Sequence, residues 1–227
     1  MSYVIPSWEL TSLPVVDNED RFPVRRIYCI GRNYAEHAKE MGMDERDPPF
    51  FFMKPTDAIV QNGAKIPYPP QTKNYHYEGE LVVAIGGSAS SISVADANNC
   101  IYGYGVGLDM TRRDVQIAAR KMGRPWDMGK GFDNSAPCSE ILPVTKIGHP
   151  EEGRIRLAVN GETKQDADIK DMIWNVPESI SYLSGLVTLE AGDLIMTGTP
   201  AGVGPVISGD TMVVSVEGVT ELTCTIA

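Results

Sequence analysis

The sequence predicts an α+β fold built on antiparallel or mixed sheets. Strand-like segments outnumber helix-like ones, of which there are three or four short examples. The two kinds do not alternate in the regular order that a doubly wound sheet or a barrel of βα units requires. Asn160-Gly161, set between the alternating segments Ile155–Val159 and Glu162–Gln165, is a strong type I′ hairpin signal and marks an antiparallel pair.

Along the chain, prolines punctuate residues 1–23, which read as an irregular arm; we end the arm at residue 25 and assign 26–227 to one domain. Arg26–Gly31 (RIYCIG) is a short strand running into a helix over Asn33–Met43. Phe50–Lys54 is apolar enough for a buried strand, and Pro67–Asn74 is a proline-rich loop. Tyr77–Ile85 alternates and then turns continuously apolar, as a strand entering a core does. Val94–Asn99 is a short helix. Ile101–Asp109 carries Gly103, Gly105 and Gly107 at alternate positions, so a second backbone or a ligand approaches that strand face. Thr111 is positioned to cap a helix reaching Lys121. Pro177–Ser184 is a helix opened by proline. Asp193–Thr197, Thr211–Glu217 and Glu221–Ile226 are strands.

At 227 residues the chain can bury a full core without staples. Its 20 Lys and Arg against 30 Asp and Glu give a net charge of −10. That argues against a nucleic-acid partner, which needs a basic face, and against a polybasic membrane anchor. A negative surface also repels acids, so a site for an anionic substrate must carry local cations or a metal. No apolar run approaches the ~18 residues of a membrane span, and Met1 to Val16 lacks a signal-peptide pattern. Cys29, Cys100, Cys138 and Cys224 form no Cys-x-x-Cys pair. They read as reduced, buried thiols of a cytoplasmic protein.

Glu78 and Glu80 lie two apart on a strand and share one face. Adjacent like charges either face water or share a cation. Taken alone, the pair reads as a solvated acidic face. Asp109 changes the balance, because it ends an otherwise apolar strand. Three carboxylates without a His–Cys cluster are hard oxygen donors suited to Mg²⁺ or Mn²⁺ rather than zinc. His37 and Glu40 stand i,i+3 on the expected helix, where a carboxylate can orient an imidazole as a water-activating base; an exposed surface pair is the plainer alternative. Arg113 and Gln116 are also i,i+3 and can face the metal cavity. Lys54 ends an apolar strand. Lys130 sits between glycines, which ordinarily describes a flexible surface residue. Thr197–Gly204 is a tight glycine loop without a P-loop ending, so it supports no nucleotide site; its N–H groups and hydroxyls could surround a carboxylate.

In this order the motifs Gly31-Arg32-Asn33-Tyr34-Ala35-Glu36-His37, Phe52-Met53-Lys54-Pro55, His76-Tyr77-Glu78-Gly79-Glu80, Leu108 to Gln116, Gly129-Lys130 and Thr197 to Gly204 resemble the fumarylacetoacetate hydrolase family. The likeness is to its short single-domain acylpyruvate hydrolase branch and, at the amino-terminal start, to bacterial fumarylpyruvate hydrolases of aromatic-acid breakdown. The resemblance implies a mixed β-sandwich roll, a homodimer, and hydrolysis of the C3–C4 bond of a small 2,4-diketo acid such as fumarylpyruvate, giving fumarate and pyruvate. It implies Glu78, Glu80 and Asp109 as Mg²⁺ or Mn²⁺ ligands and His37 with Glu40 as the water-activating dyad. Lys130 and Gln116 would stabilise the oxyanion, and Arg32, Lys54, Arg113 and Thr199 would bind substrate. Arg112 and Arg124 are candidates by residue type for the far carboxylate of fumarylpyruvate; their roles, and that of Asp127, stay open. Oxaloacetate decarboxylation or tautomerisation on the same metal site is the rival reading. A non-catalytic binding protein on the same fold is the more distant one.

Overall fold

The structure, a computed structural model, describes residues 2–34 and 47–227. His37, Glu40 and most of the helix expected over Asn33–Met43 lie outside the described residues. At the described end of that segment, Tyr34 forms a bridge with Met172 instead of opening a helix.

Two sheets carry the fold. The larger has eight strands. Its path runs Phe50–Lys54, Arg26–Gly31, Asp193–Met196, Gly79–Ile85, Ile101–Leu108, Ala136–Cys138 and Ile59–Gln61, and Leu142–Pro143 also pairs with Ile101–Leu108. It is mixed: Asp193–Met196 runs parallel to Arg26–Gly31 and antiparallel to Gly79–Ile85. The second has five strands in the order Glu162–Asp168, Arg154–Val159, Thr211–Val216, Glu221–Ile226 and Lys65–Ile66. The hairpin at Asn160-Gly161 forms as expected, with φ of 51° and 84° at the two turn residues. This arrangement is the expected α+β mixed-sheet roll.

Strand Gly79–Ile85 is buried on both faces, which explains its continuous apolar run. Leu81, Val83 and Ile85 pack with Leu157, Val214 and Leu222 of the five-stranded sheet. Val82 and Ala84 point the other way, into a cluster with Ile27, Cys29, Leu194 and Met196. Each such fully buried aliphatic side chain contributes about 1.5–3 kcal/mol over an exposed one. Strand period places Glu80 in the row of Val82 and Ala84, so a carboxylate continues an apolar row.

The glycine row on Ile101–Leu108 makes room for protein backbone. A Cβ at Gly103 would lie 2.5 Å from the Leu142 carbonyl oxygen, and one at Gly105 would lie 3.1 Å from that of Glu140. Asp109 follows on the glycine side of the strand.

Three local expectations change. Residues 12–23 are not irregular: Ser12–Val15 pairs with Asn18–Pro23, and Leu13, Val15 and Phe22 are buried. Prolines are tolerated at strand edges, and Pro14 and Pro23 sit in this two-stranded sheet. Tyr77–Ile85 is broken at Glu78, because Tyr75–Tyr77 joins a separate small sheet with Thr111–Arg112 and Gly204–Pro205. Thr111 caps nothing; its hydroxyl donates to the Asp109 carbonyl, and the helix begins two residues later as Arg113–Lys121.

Candidate active site

The break at Glu78 and the end of the glycine strand meet. Asp109 N donates to the Glu78 carbonyl at 2.8 Å, so the backbone register alone brings two acids together. With Glu80 they form a buried set whose oxygens all lie within 4.8 Å of one another. Burial, followed by the charges of Asp109 and Glu78, pushes the Glu80 carboxyl well above its usual range. Such a cluster needs positive charge, and the surrounding elements supply it.

Lys130 is 2% exposed, not a flexible surface residue. Its Nζ donates to Glu78 Oε2 at 2.7 Å and to Asp109 Oδ2 at 2.5 Å. Burial opposes its charge, but Asp109 and Glu78 outweigh that and hold the ammonium above its ordinary value. Its flanking glycines serve close packing: a Cβ at Gly129 would stand 2.9 Å from the Gln116 backbone nitrogen. Lys54 is also buried; its Nζ donates to the Met110 carbonyl at 3.1 Å and to the Lys130 carbonyl, which ties the two lysines together. Lys54 Nζ lies 2.8 Å from Asp109 Oδ1, off the direction of a hydrogen bond, so this buried oxygen makes none.

Helix Arg113–Lys121 contributes its first turn. The Arg113 guanidinium pairs with Glu78 and donates through Nη1 to Gln116 Oε1 at 2.6 Å. That bond points the Gln116 carbonyl at the guanidinium, and the side chain lines the cavity. Behind Arg113, His76 Nδ1 accepts from Arg113 Nε at 3.4 Å, and His76 Nε2 meets Asn74 Oδ1 at 2.8 Å. Burial and then the Arg113 charge push the His76 imidazole down to about 4, so it stays neutral and acts as an acceptor.

The glycine loop surrounds a carboxylate of the protein itself. Gly198 N, at φ +94°, donates to Glu80 Oε2 at 2.8 Å. Thr199 Oγ1 donates to the Gly79 carbonyl at 2.9 Å and accepts from Gln165 Nε2 at 2.7 Å. Gln165 Oε1 in turn accepts from Gly79 N.

Arg32, Glu78, Glu80, Asp109, Arg113, Gln116, Lys130 and Thr199 line one cavity. The free space among them is ≈ 20 Å³, the scale of one water or one small ion. Lys54 does not line it and acts through Asp109. Phe52, Trp126, Ile30 and Gly31 complete the wall; Phe52 stands in one of the family motifs, but no local signal gave it or Trp126 a part, which depends on tertiary packing. Asn33, part of the Gly31–His37 motif, has a role that the motif did not state. It is fully buried, its Nδ2 donates to the carbonyls of Trp174 and Thr197 at 2.8 Å each, and it fixes the backbone beside Arg32. Arg112 and Arg124 are absent from the cavity wall. Arg112 lies over the Phe132 ring at 4.2 Å, and Arg124 is exposed.

Buried hard-oxygen donors, one of them an Asp109 oxygen that makes no hydrogen bond, fit a divalent cation of the Mg²⁺ or Mn²⁺ kind. Fold and site together define a carboxylate-centred hydrolase-type cavity, and comparison with known proteins agrees. The model of the family described as fumarylacetoacetate (FAA) hydrolase C-terminal matches residues 26–227. The chain belongs to this family. A fumarylpyruvate hydrolase of Ralstonia sp is 50% identical over 177 residues, 78% of this chain and 92% of that protein. An oxaloacetate tautomerase of Escherichia coli (strain K12) is 41% identical over 198 residues, covering 87% and 90%. The crystal structure of fumarylpyruvate hydrolase from Pseudomonas aeruginosa in complex with Mn²⁺ and pyruvate is 48% identical, with TM-score 0.96 over 100% of this chain and 99% of that one.

Proposed function

We propose that the protein is a metal-dependent hydrolase of acylpyruvates, with fumarylpyruvate as its substrate and fumarate and pyruvate as products. The observation that carries this reading is the buried trio of Glu78, Glu80 and Asp109 with Lys130, Arg113 and Gln116 set around it. Half-identity to a fumarylpyruvate hydrolase, and a fold match to one holding Mn²⁺ and pyruvate, support the choice of substrate.

Glu78, Glu80 and Asp109 would hold Mg²⁺ or Mn²⁺, which when bound supplies Lewis-acid stabilisation of charge on the keto-acid end. His37, oriented by Glu40, takes a proton from water, and the hydroxide adds to the C4 carbonyl. Both residues are assigned by family resemblance. The Gln116 amide N–H₂ and the Lys130 ammonium are the donors for the resulting oxyanion. The C3–C4 bond then breaks and its electron pair stays on C3. Protonation of C3 by the His37 imidazolium gives pyruvate, and the acyl part leaves as fumarate. Arg113 and Arg32 bind the anionic substrate, Thr199 shapes the Glu80 side, and Lys54 positions Asp109.

The charge distribution suits this substrate. Residues 112–130 carry six cations against two carboxylates, a local +4 in a chain of net −10. That reversal draws an anion towards the cavity despite the acidic surface.

Oxaloacetate tautomerisation is the second reading, favoured by relatives of that activity at 41–43% identity. The two are separated by following loss of fumarylpyruvate and of oxaloacetate with and without Mn²⁺. Metal-dependent loss of fumarylpyruvate with equal fumarate and pyruvate supports the hydrolase; interconversion of oxaloacetate tautomers alone supports the other.

We place the enzyme in the cytoplasm, in the breakdown of aromatic compounds, as a homodimer. Four buried, unpaired thiols suit a reducing compartment. Among the described residues, no helix is long and apolar enough to cross a membrane. The dimer reading draws support from the arm, where Tyr3, Val4, Ile5, Trp8 and Leu10 are all exposed. Light scattering showing a monomer at micromolar concentration would remove it.

A further inference from the structure

We infer that Arg120, together with Arg32, forms the subsite for the far carboxylate of the substrate and so sets preference for dianionic acylpyruvates. The inference rests on the hydrolase reading above. Its basis is the geometry of helix Arg113–Lys121. Residues 113, 116 and 120 are spaced i, i+3, i+7 and share one helix face. Arg113 and Gln116 both line the cavity. Arg120 therefore extends the same face one turn further, and it is exposed.

The cavity lining supplies the second cation. Arg32 lines the cavity beside Trp126, with its guanidinium carbon 5.8 Å from that ring and 5.5 Å from the Phe50 ring. Its backbone is held at φ 60° next to the buried Asn33 anchor, so its direction is fixed by the fold. Burial first, and then the like charge of Arg120, lowers the Arg32 guanidinium. An anionic group bound beside them would offset that like-charge repulsion.

The lengths agree. Arg113, paired with Glu78, marks the metal end. Seven residues of helix rise about 10 Å from Arg113 to Arg120. Six carbon–carbon bonds between the end carbons of fumarylpyruvate span about 7.5 Å. With its keto-acid end at the carboxylate trio, the flat unsaturated middle lies along Phe52 and Trp126, and the far carboxylate reaches the arginine pair. Arg112 is engaged over the Phe132 ring, and Arg124 lies beyond the end of helix Arg113–Lys121 and off this face.

The deciding experiment measures kcat/KM of the Mn²⁺-loaded enzyme on fumarylpyruvate and on acetylpyruvate, which keeps the keto-acid end but lacks the far carboxylate. Wild type is compared with Arg120→Gln, Arg120→Lys and Arg120→Glu. The expected result is a fall of about tenfold in the fumarylpyruvate-to-acetylpyruvate ratio for Arg120→Gln, the lower end for a charge-assisted hydrogen bond at an exposed site. The loss should sit mainly in KM, be partly restored in Arg120→Lys, and deepen in Arg120→Glu. An unchanged ratio, or equal loss on both substrates, overturns the subsite. Wild type that hydrolyses acetylpyruvate and leaves fumarylpyruvate untouched also overturns it while keeping the hydrolase. Wild type that hydrolyses neither overturns the hydrolase reading and the subsite with it.

Discussion

The two ends of the cavity are built on different principles. At the inner end Glu80 is 1% exposed, Asp109 1% and Lys130 2%, and nearly every polar atom has a backbone or ionic partner. Its members come from the strand Gly79–Ile85, the end of Ile101–Leu108 and the short helix Asp127–Lys130, all locked into one core. At the outer end Arg32 lies over the Trp126 ring, and Arg120 is exposed one turn further along the helix that carries Arg113 and Gln116. A preorganised inner end suits chemistry on the part common to all acylpyruvates. An adaptable outer end suits selection among acyl groups. Substitutions inside should therefore abolish the reaction for every substrate, and substitutions at the mouth should re-rank substrates.

The largest effects are expected at the trio. Glu80→Gln and Asp109→Asn should lower metal affinity by more than about 100-fold, beyond what losing an outer partner costs. Steady-state turnover at fixed Mn²⁺ should fall to background on both fumarylpyruvate and acetylpyruvate. Retained turnover of either would separate the trio from catalysis.

Next come the oxyanion donors. Gln116→Ala should reduce kcat by about 10²–10³ with KM little changed, the signature of a donor used in the transition state. Lys130→Met removes a donor and also leaves Glu78 and Asp109 without their shared cation. Its kcat should fall further and its melting temperature should drop, which calorimetry would show. A Gln116→Ala loss confined to KM would contradict the assignment.

Smaller effects sharpen the mouth. Trp126→Ala should raise KM for fumarylpyruvate by several-fold, since one stacked face against a flat chain contributes about 1 kcal/mol. Arg112→Gln should leave the ratio of the two substrates unaltered, because Arg112 lies against Phe132 and the Met128 carbonyl. A changed ratio there would move the far-carboxylate subsite away from Arg120. Leu157→Ala, in the core between the sheets, should cost about 2–5 kcal/mol of stability without re-ranking substrates.

The same contrast governs what was legible in the sequence. The trio was legible because strand period and the end of a glycine strand are local signals. The Arg113–Gln116 pair was legible through helical spacing. Lys130 looked like a surface residue, since glycine neighbours signal flexibility locally; here Gly129 is small because the Gln116 backbone touches it. Trp126 carried no local mark, and Phe52 and Asn33 stood in family motifs without a role, because their roles come from chain segments far apart in sequence. The hairpin Ser12–Pro23 was hidden by prolines that sit at strand edges. Arg120 was within reach: the spacing that linked Arg113 to Gln116 extends to it in one more step. The interval from Ala35 to Arg46, with His37 and Glu40, rests on motif resemblance.

The central claim is that the inner end is a divalent-metal centre held by Glu78, Glu80 and Asp109. Titration of the wild-type protein and of Glu80→Gln with Mn²⁺, followed by electron paramagnetic resonance of the free ion, tests it most directly. The account predicts one tightly bound Mn²⁺ per wild-type chain and loss of that binding in a folded Glu80→Gln protein. Equal Mn²⁺ uptake by the two proteins, or none by wild type, would contradict it.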